Sequence, residues 1–460
     1  MIDNVKRGSR FSIIDALVIL LHITYGMSML KVWLLDPIPL RGHYILFFIT
    51  TIVYFIRFGF SFKLITAKHN LVVWLLIIIY IADIIQCLFF NIEQAIPRLF
   101  FLLDVFIFMS YVYSMYLDGT KSMDNPVINV TKYYECYNVY NIVVVLLCLS
   151  LIIIGVLSAR DNPLYTNSLI DSNVEAGGQY YFPGHLSLAI DSQRGLAVFD
   201  LPVLTGLTHE PHVLFLFLGP CFFLFLIRVL NRPSLSFWLY ILFFALLIIA
   251  TSASAIIAFL MVFVVDQLYN VFIGENKGKN LFVFIVILGA LAIFMSKGGL
   301  IVEDISDMMD NKLGATDDVG SKGFSMMMLY YLITPHALLG RGNMPEGTGF
   351  ELIGQDIGYV TCVLDLLFLL LFLIKSVKFV ISKDRQIHYY GMMFLYFFIH
   401  NLKISVQSFN YQYISFFVVL IVIVNNVLDS RSKIDKRISS KHIKDSKNGL
   451  SIQSTRSVSY

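Results

Sequence analysis

Apolar runs of about twenty residues, the length that crosses a bilayer as helix, recur along nearly the whole chain. They fall near residues 12–34, 43–61, 70–91, 98–117, 138–158, 212–230, 234–250, 253–273, 280–297, 359–380, 387–403 and 410–428, about twelve spans. Two polar stretches interrupt the pattern, residues 159–211 and 298–358. The expected fold is an all-α polytopic membrane protein, one membrane domain over residues 1–428 with two long loops. Residues 429–460, rich in Ser and Lys, read as a basic tail without the apolar content for a packed core.

Composition agrees. The 460 residues are 57% hydrophobic and 14% charged, with mean hydropathy +0.75; a soluble domain carries about 25% charged residues. The net charge of +3 gives no reason to expect a nucleic-acid partner. Five cysteines lie in or beside apolar runs without CxxC spacing, so neither a disulfide framework nor a zinc site is expected. The first run follows Lys6, Arg7 and Arg10 and reads as an uncleaved span. The 40 Phe and 25 Tyr are expected mostly at lipid-facing and interfacial positions.

Lysine and arginine in short connections set the orientation. With the N-terminus inside, inner segments hold Lys63, Lys68, Lys121, Lys132, Arg228, Arg232, Lys277, Lys279, Lys375, Lys378, Lys383 and Arg385, and the tail adds more. Outer positions offer Lys31, Arg41, Arg98, Lys297 and Lys403. Both termini are then cytoplasmic and both long stretches lie outside. Each stretch is acidic, the second with nine carboxylates against Lys312, Lys322 and Arg341, so anion contacts there must be local.

Asp15, Asp83, Asp104 and Asp365 fall inside predicted spans, where an unpaired carboxylate costs about 2.5–3.5 kcal/mol. Hydrogen bonding between helices is the favoured reading; a proton relay is the other. Lys31 and Arg57 are expected to snorkel from span ends.

The second outer stretch closes with TPHALLGRGNMPEGTGFELIGQDIGY, which gathers His336, Arg341 and Asp356 and six glycines between Gly340 and Gly358. Backbone N–H groups and a few ionic side chains can converge on a polar ligand in such a segment; a solvated connector is the plain alternative. The first stretch carries SQRGLAVFDLPVLTGLTHEPHVLF, with Arg194 and Gly195 ahead of His209, Glu210 and Pro211 at a helix start. Spans seven and eight meet outside at ATSASA.

In this order the motifs resemble the bacterial O-antigen and capsule repeat-unit polymerases (Wzy type), relatives of the O-antigen ligases. The matching pieces are Arg194-Gly195, Glu210-Pro211, Ser252-x-Ser254, Lys322, Pro335 to Gly342, and Asp356-x-Gly358, covering about residues 190–365. Two departures are Ala255, where many relatives have Arg, and Lys322, where Arg is common; an ammonium is a point charge and lacks the bidentate guanidinium.

The resemblance implies a GT-C-like glycosyltransferase acting outside the bacterial inner membrane, with no cofactor and no metal. Donor and acceptor would be undecaprenyl-pyrophosphate-linked oligosaccharides, and a chain-length regulator would be a partner protein. The chemistry needs a base for the acceptor hydroxyl and stabilisation of the departing pyrophosphate. Glu210, His209, His336 or Asp356 would be the base, and each histidine has a packing role as its plain alternative. Arg194, Lys322, Arg341, Gly340 and Gly342 would contact pyrophosphate or glycan. A lipid-linked-glycan flippase or another twelve-helix transporter fits the span count equally, although KLITAKHN lacks the loop 2–3 signature of major-facilitator carriers. An O-antigen ligase differs mainly in its acceptor. A polyprenyl-phosphate-sugar transferase would place paired acids in the first outer loop, where this chain has Asp36 alone.

Overall fold

The computed structural model describes residues 12–24, 42–90, 92–120, 126–154, 178–181, 187–190, 203–208, 211–250, 252–273, 350–401 and 413–431, with short helical pieces at 277–278, 281–282 and 285; for 12, 42–43, 90, 178–181, 187–190, 203, 253, 350–359, 361–362 and 401 it describes backbone alone. The helices are α1 (Ser12–Thr24), α2 (Gly42–Phe58), α3 (Leu71–Phe90), α4 (Ile92–Gly119), α5 (Pro126–Ile153), α6 (Pro211–Arg228), α7 (Pro233–Ala250), α8 (Ala253–Phe272), α9 (Phe350–Val380) and α10 (Arg385–Asn401). α11 (Tyr413–Arg431) follows. Three short strands, β1 (Gly178–Tyr181), β2 (Ser187–Ile190) and β3 (Val203–Leu204), form an antiparallel sheet in that order, Gly178 opposite Ile190 and Ala189 opposite Leu204.

The protein is all-α, a multi-pass membrane protein by helix length and hydropathy. Among the described residues, seven of eleven helices, α3 to α8 and α11, are long and apolar enough to cross a bilayer. Several helices exceed the apolar runs that announce them. α4 starts at Ile92 and α5 at Pro126, well before the expected 98 and 138. α9 starts at Phe350, so the Asp356-x-Gly358 motif is helical backbone and not part of a loop ending at 358. α11 continues to Arg431, into the stretch read as tail. Hydropathy rejects these extensions because they carry Glu93, Pro97, Lys132 and Glu135.

α11 is the post around which the bundle packs. Its sequence is apolar on every side, the signature of a helix without a lipid face, and Tyr413 to Val424 are all buried. Its side chains reach α4 (Asn426 to Tyr113), α5 and α6 (Tyr413 to Tyr134 and Phe217), α9 (Asn425 to Lys378) and α10 (Phe417 to Phe397). Aromatic residues fill this core, against the expectation that they would mostly face lipid: Tyr54, Tyr111, Tyr134, Tyr396, Tyr413, Phe108, Phe215 and Phe217 are among its largest fully buried side chains. Lipid tails are as apolar as the core, so association here depends on close packing and polar links rather than on expelling water.

Two glycines set the closest approaches. A Cβ at Gly219 of α6 would enter the Tyr396 ring of α10, and one at Gly391 of α10 would meet the backbone of α9 at Phe379 and Val380. Pro220 lacks the N–H that would bond the Leu216 carbonyl inside α6. Tyr413 Oη donates to that carbonyl at 2.6 Å, and Tyr134 Oη donates to the neighbouring Phe217 carbonyl at 2.5 Å. A break in one helix thereby ties in two others.

Candidate functional site

Helix alternation divides the bundle into two ends. His400 near the end of α10 donates from Nε2 to the His212 carbonyl at the start of α6, 2.8 Å away. The starts of α6 and α9, the α7–α8 junction and the end of α10 therefore share one end, the end from which residues 155–210 leave and return. The opposite end is closed by the short turns 59–70, 229–232 and 381–384.

At the first end the chain from Leu204 to Thr208 is buried beside α5 and α6. Thr208 donates to the Thr205 carbonyl from Oγ1 at 2.7 Å and from N at 3.2 Å, closing a tight turn. Asn141 Oδ1, from the middle of α5, accepts the Leu207 N–H at 2.8 Å. Gly206 has φ +59, and a Cβ there would lie 2.8 Å from Asn141 Oδ1 and 2.9 Å from Leu214, so both conformation and space require glycine. The turn delivers the chain to Pro211, whose ring suits a first helical position. Nearby, Ser252 caps α8 with extended backbone (φ −87, ψ 104) and its Oγ lies 3.3 Å from Ser254 Oγ. Ser252 is buried.

Of the site residues expected from sequence, Arg194, Glu210, Lys322, His336, Gly340, Arg341 and Gly342 lie outside the described residues. Asp356 is placed by backbone in the second turn of α9. Flanking segments of three motifs, the turn before Pro211, the Ser252-x-Ser254 junction and the start of α9, converge on one end.

The membrane interior holds a second set of polar groups. Asp15 pairs with Arg57 and accepts from the Tyr111 hydroxyl at 2.5 Å, so Arg57 turns inward to a partner instead of snorkelling. Asp83 pairs with Arg98 across α3 and α4. His22 Nε2 lies 3.0 Å from Asp104 Oδ1 and the imidazole stacks on Phe108 with centroids 4.4 Å apart. Sequence reasoning missed His22, Asp266 and His388, whose signal was an ionisable side chain within or beside an apolar span. His388 repeats the His22 arrangement with Asp266 at 3.0 Å and Tyr269 stacked at 3.6 Å. Glu135 was also missed; Arg228 grips it with two bonds of 2.9 and 3.0 Å, and Thr131 donates to it at 2.7 Å.

In both buried imidazoles Nδ1 faces a main-chain carbonyl, Val18 at 2.6 Å and Val380 at 2.7 Å, and a carbonyl only accepts. Nδ1 is therefore protonated, and the Nε2–carboxylate contact requires one further proton shared across it. With both nitrogens engaged, neither histidine is free to act as a base on a substrate. Among the described residues no group of His, Cys, Asp and Glu is arranged to hold a metal ion. No protein-family model, curated protein or solved structure matches the chain.

Proposed function

We propose that the protein is a polysaccharide polymerase of the O-antigen or capsule type, joining undecaprenyl-pyrophosphate-linked repeat units on the outer face of the bacterial inner membrane. The observation that carries the reading is the order of its polar motifs together with the convergence of their flanking helix ends. Arg194-Gly195 and Glu210-Pro211 precede α6, Ser252-x-Ser254 joins α7 to α8, and Asp356-x-Gly358 opens α9. In the full arrangement about twelve spans, with both termini cytoplasmic, leave residues 159–211 and most of 298–358 outside. Arg194, Lys322 and Arg341, with backbone donors at Gly340 and Gly342, stabilise the departing pyrophosphate. Glu210, His336 or Asp356 takes the proton of the attacking sugar hydroxyl. A chain-length regulator would act on the same assembly.

The test is chain extension by the purified protein on lipid-linked repeat units. A ladder of products still attached to undecaprenyl pyrophosphate is expected; transfer to a lipid core would mean a ligase, and no extension would end the proposal. Arg341→Lys should lose at least about tenfold in rate at normal protein level, since an ammonium cannot hold two phosphate oxygens in a fork. Arg160→Ala should extend normally.

A carrier is favoured by one observation, the His22–Asp104 contact buried in the middle of the bundle, because proton-coupled carriers keep ionisable pairs there. Movement of lipid-linked units across vesicles without extension would select that reading.

A further inference from the structure

At the short-turn end three lysines gather around one carboxylate. Lys68 Nζ is 3.5 Å from Asp429 Oδ2, Lys375 is within electrostatic reach of Asp429 and Lys378, and Lys378 Nζ lies 3.5 Å from Asn425 Oδ1, one helical turn before Asp429. His69 Nε2 already occupies the same Asp429 oxygen at 3.0 Å. Positive charge is left over, and the Lys68 side chain is 68% exposed.

The cluster stands at the foot of two apolar faces. α3 and α9 pack side by side. Leu71, Trp74 and Ile78 are exposed on α3, and Ile374, Val377 and Ile381 on α9. Their spacing of three and four residues makes each set a single stripe along its helix. In a bilayer the α3 stripe runs from Lys68 toward the hydrocarbon, and the α9 stripe runs beside Lys375 and Lys378.

From this juxtaposition we infer that the foot of α3 and α9 is a binding site for an anionic diacyl phospholipid, its phosphate among Lys68, Lys375 and Lys378 and its chains along the two stripes. The charge selects the occupant: a zwitterionic headgroup brings a cation that the lysines repel, whereas an anionic one neutralises them. At the matching depth on α7, Trp238 is 63% exposed, and Arg228 at the end of the neighbouring α6 is committed to Glu135. The site does not depend on the reaction proposed above.

Trp74 and Trp238 supply the measurement, because the full chain has three tryptophans. Single-tryptophan proteins are made by replacing Trp33 and either of the others with Phe, and placed in nanodiscs whose brominated lipid is phosphatidylglycerol or phosphatidylcholine. Three lysines against one carboxylate leave about two cations in excess, each worth about a fivefold preference at a membrane surface. Quenching of Trp74 should favour phosphatidylglycerol by about 20-fold, and that of Trp238 by no more than about fivefold. Changing Lys68, Lys375 and Lys378 to Gln leaves Asp429 as the net charge and should abolish the Trp74 preference for phosphatidylglycerol, with unchanged gel-filtration elution. Asp429→Asn should raise the Trp74 preference by about fivefold, a gain that misfolding cannot mimic. Equal preference at the two tryptophans, or a preference that survives the lysine substitutions, would overturn the site. Relief of Trp74 quenching by millimolar glycerol phosphate would overturn the lipid as occupant, reassigning the lysines to a soluble phosphate.

Discussion

The sealed interior of the bundle and its lysine-rich rim hold the same polar contact in different surroundings. His22–Asp104, His388–Asp266 and His69–Asp429 each bring Nε2 to 3.0 Å from a carboxylate oxygen. Side-chain exposure rises along that series, 0%/0%, then 1%/8%, then 25%/32%. Distance alone would rank the three as equal. Their environments do not: a charge in a dry interior has no water to replace its partner, whereas one at the rim exchanges its partner for solvent at little cost. The contacts therefore do different jobs. The innermost fixes how α1 meets α4, the next holds the tight turn between α9 and α10 against α8, and the outermost fastens a surface turn to the foot of α11.

Breaking the innermost contact should have the largest effect. Asp104→Leu takes the carboxylate from His22 Nε2, with Thr50 Oγ1 3.5 Å away, and should cost about 3 kcal/mol, the lower end of the range for orphaning one member of a buried pair. The readout is the unfolding midpoint of the purified protein in mixed detergent and SDS. Adding His22→Phe should recover most of the loss, because a phenyl ring keeps the stack on Phe108 and two apolar groups need no partners. A double variant as unstable as Asp104→Leu alone would mean that the pair acts through shape rather than through its shared proton.

Asp266→Leu should cost less, about 1–2 kcal/mol, below the range for fully buried pairs, because the Asp266 side chain is 8% exposed where that of Asp104 is 0%. Tyr269 still holds the His388 ring at 3.6 Å, and the His388 N–H still bonds the Asp384 carbonyl at 2.9 Å. Tyr240 and Gln267, both within 3.5 Å of Asp266 Oδ2, lose that acceptor, which accounts for part of the cost. Equal losses for Asp104→Leu and Asp266→Leu would show that depth does not rank these contacts.

How much of this was legible in the sequence follows from what each feature depends on. Apolar run length located the helices, since a bilayer demands nothing more local than that. The true start of α4 escaped because Glu93 and Pro97 precede Arg98, and that of α5 because Glu135 reads as a polar interruption until its partner Arg228 arrives from another helix. Asp15, Asp83 and Asp104 were conspicuous, and helix-to-helix bonding was the favoured role; the identities of Arg57, Arg98 and His22 as partners are tertiary facts that no spacing encodes. Aromatic placement was misjudged for a related reason. Phe and Tyr suit a lipid face and a core equally well by hydropathy, and α11 takes the core place because it has no polar side to expose. The candidate site was legible as motifs in order. Their flanking turns acquire a physical role only with Asn141, a mid-helix residue with no motif around it, which holds the Thr205–Thr208 turn by the Leu207 N–H.

The outermost contact should matter least, and its backbone makes the expectation specific. His69 has φ +64, the left-handed region that side chains enter at a cost of about 1–2 kcal/mol and glycine enters freely. Against that stands a half-solvated pair with Asp429, worth about 0.2–1 kcal/mol and weakened by salt. His69→Ala keeps the strained backbone and loses the pair, so it should fall below wild type by up to about 1 kcal/mol, with the gap closing in 1 M salt. His69→Gly loses the same pair but relieves the strain, while its looser unfolded chain returns about 0.5–1 kcal/mol of that gain. The glycine variant should therefore stay within about 0.5 kcal/mol of wild type and lie above the alanine variant at every salt concentration. Both are measured by the same SDS unfolding midpoint. A glycine variant as unstable as Asp266→Leu would break the series at its exposed end, making the His69 contact a fastening of the bundle and not a surface tie.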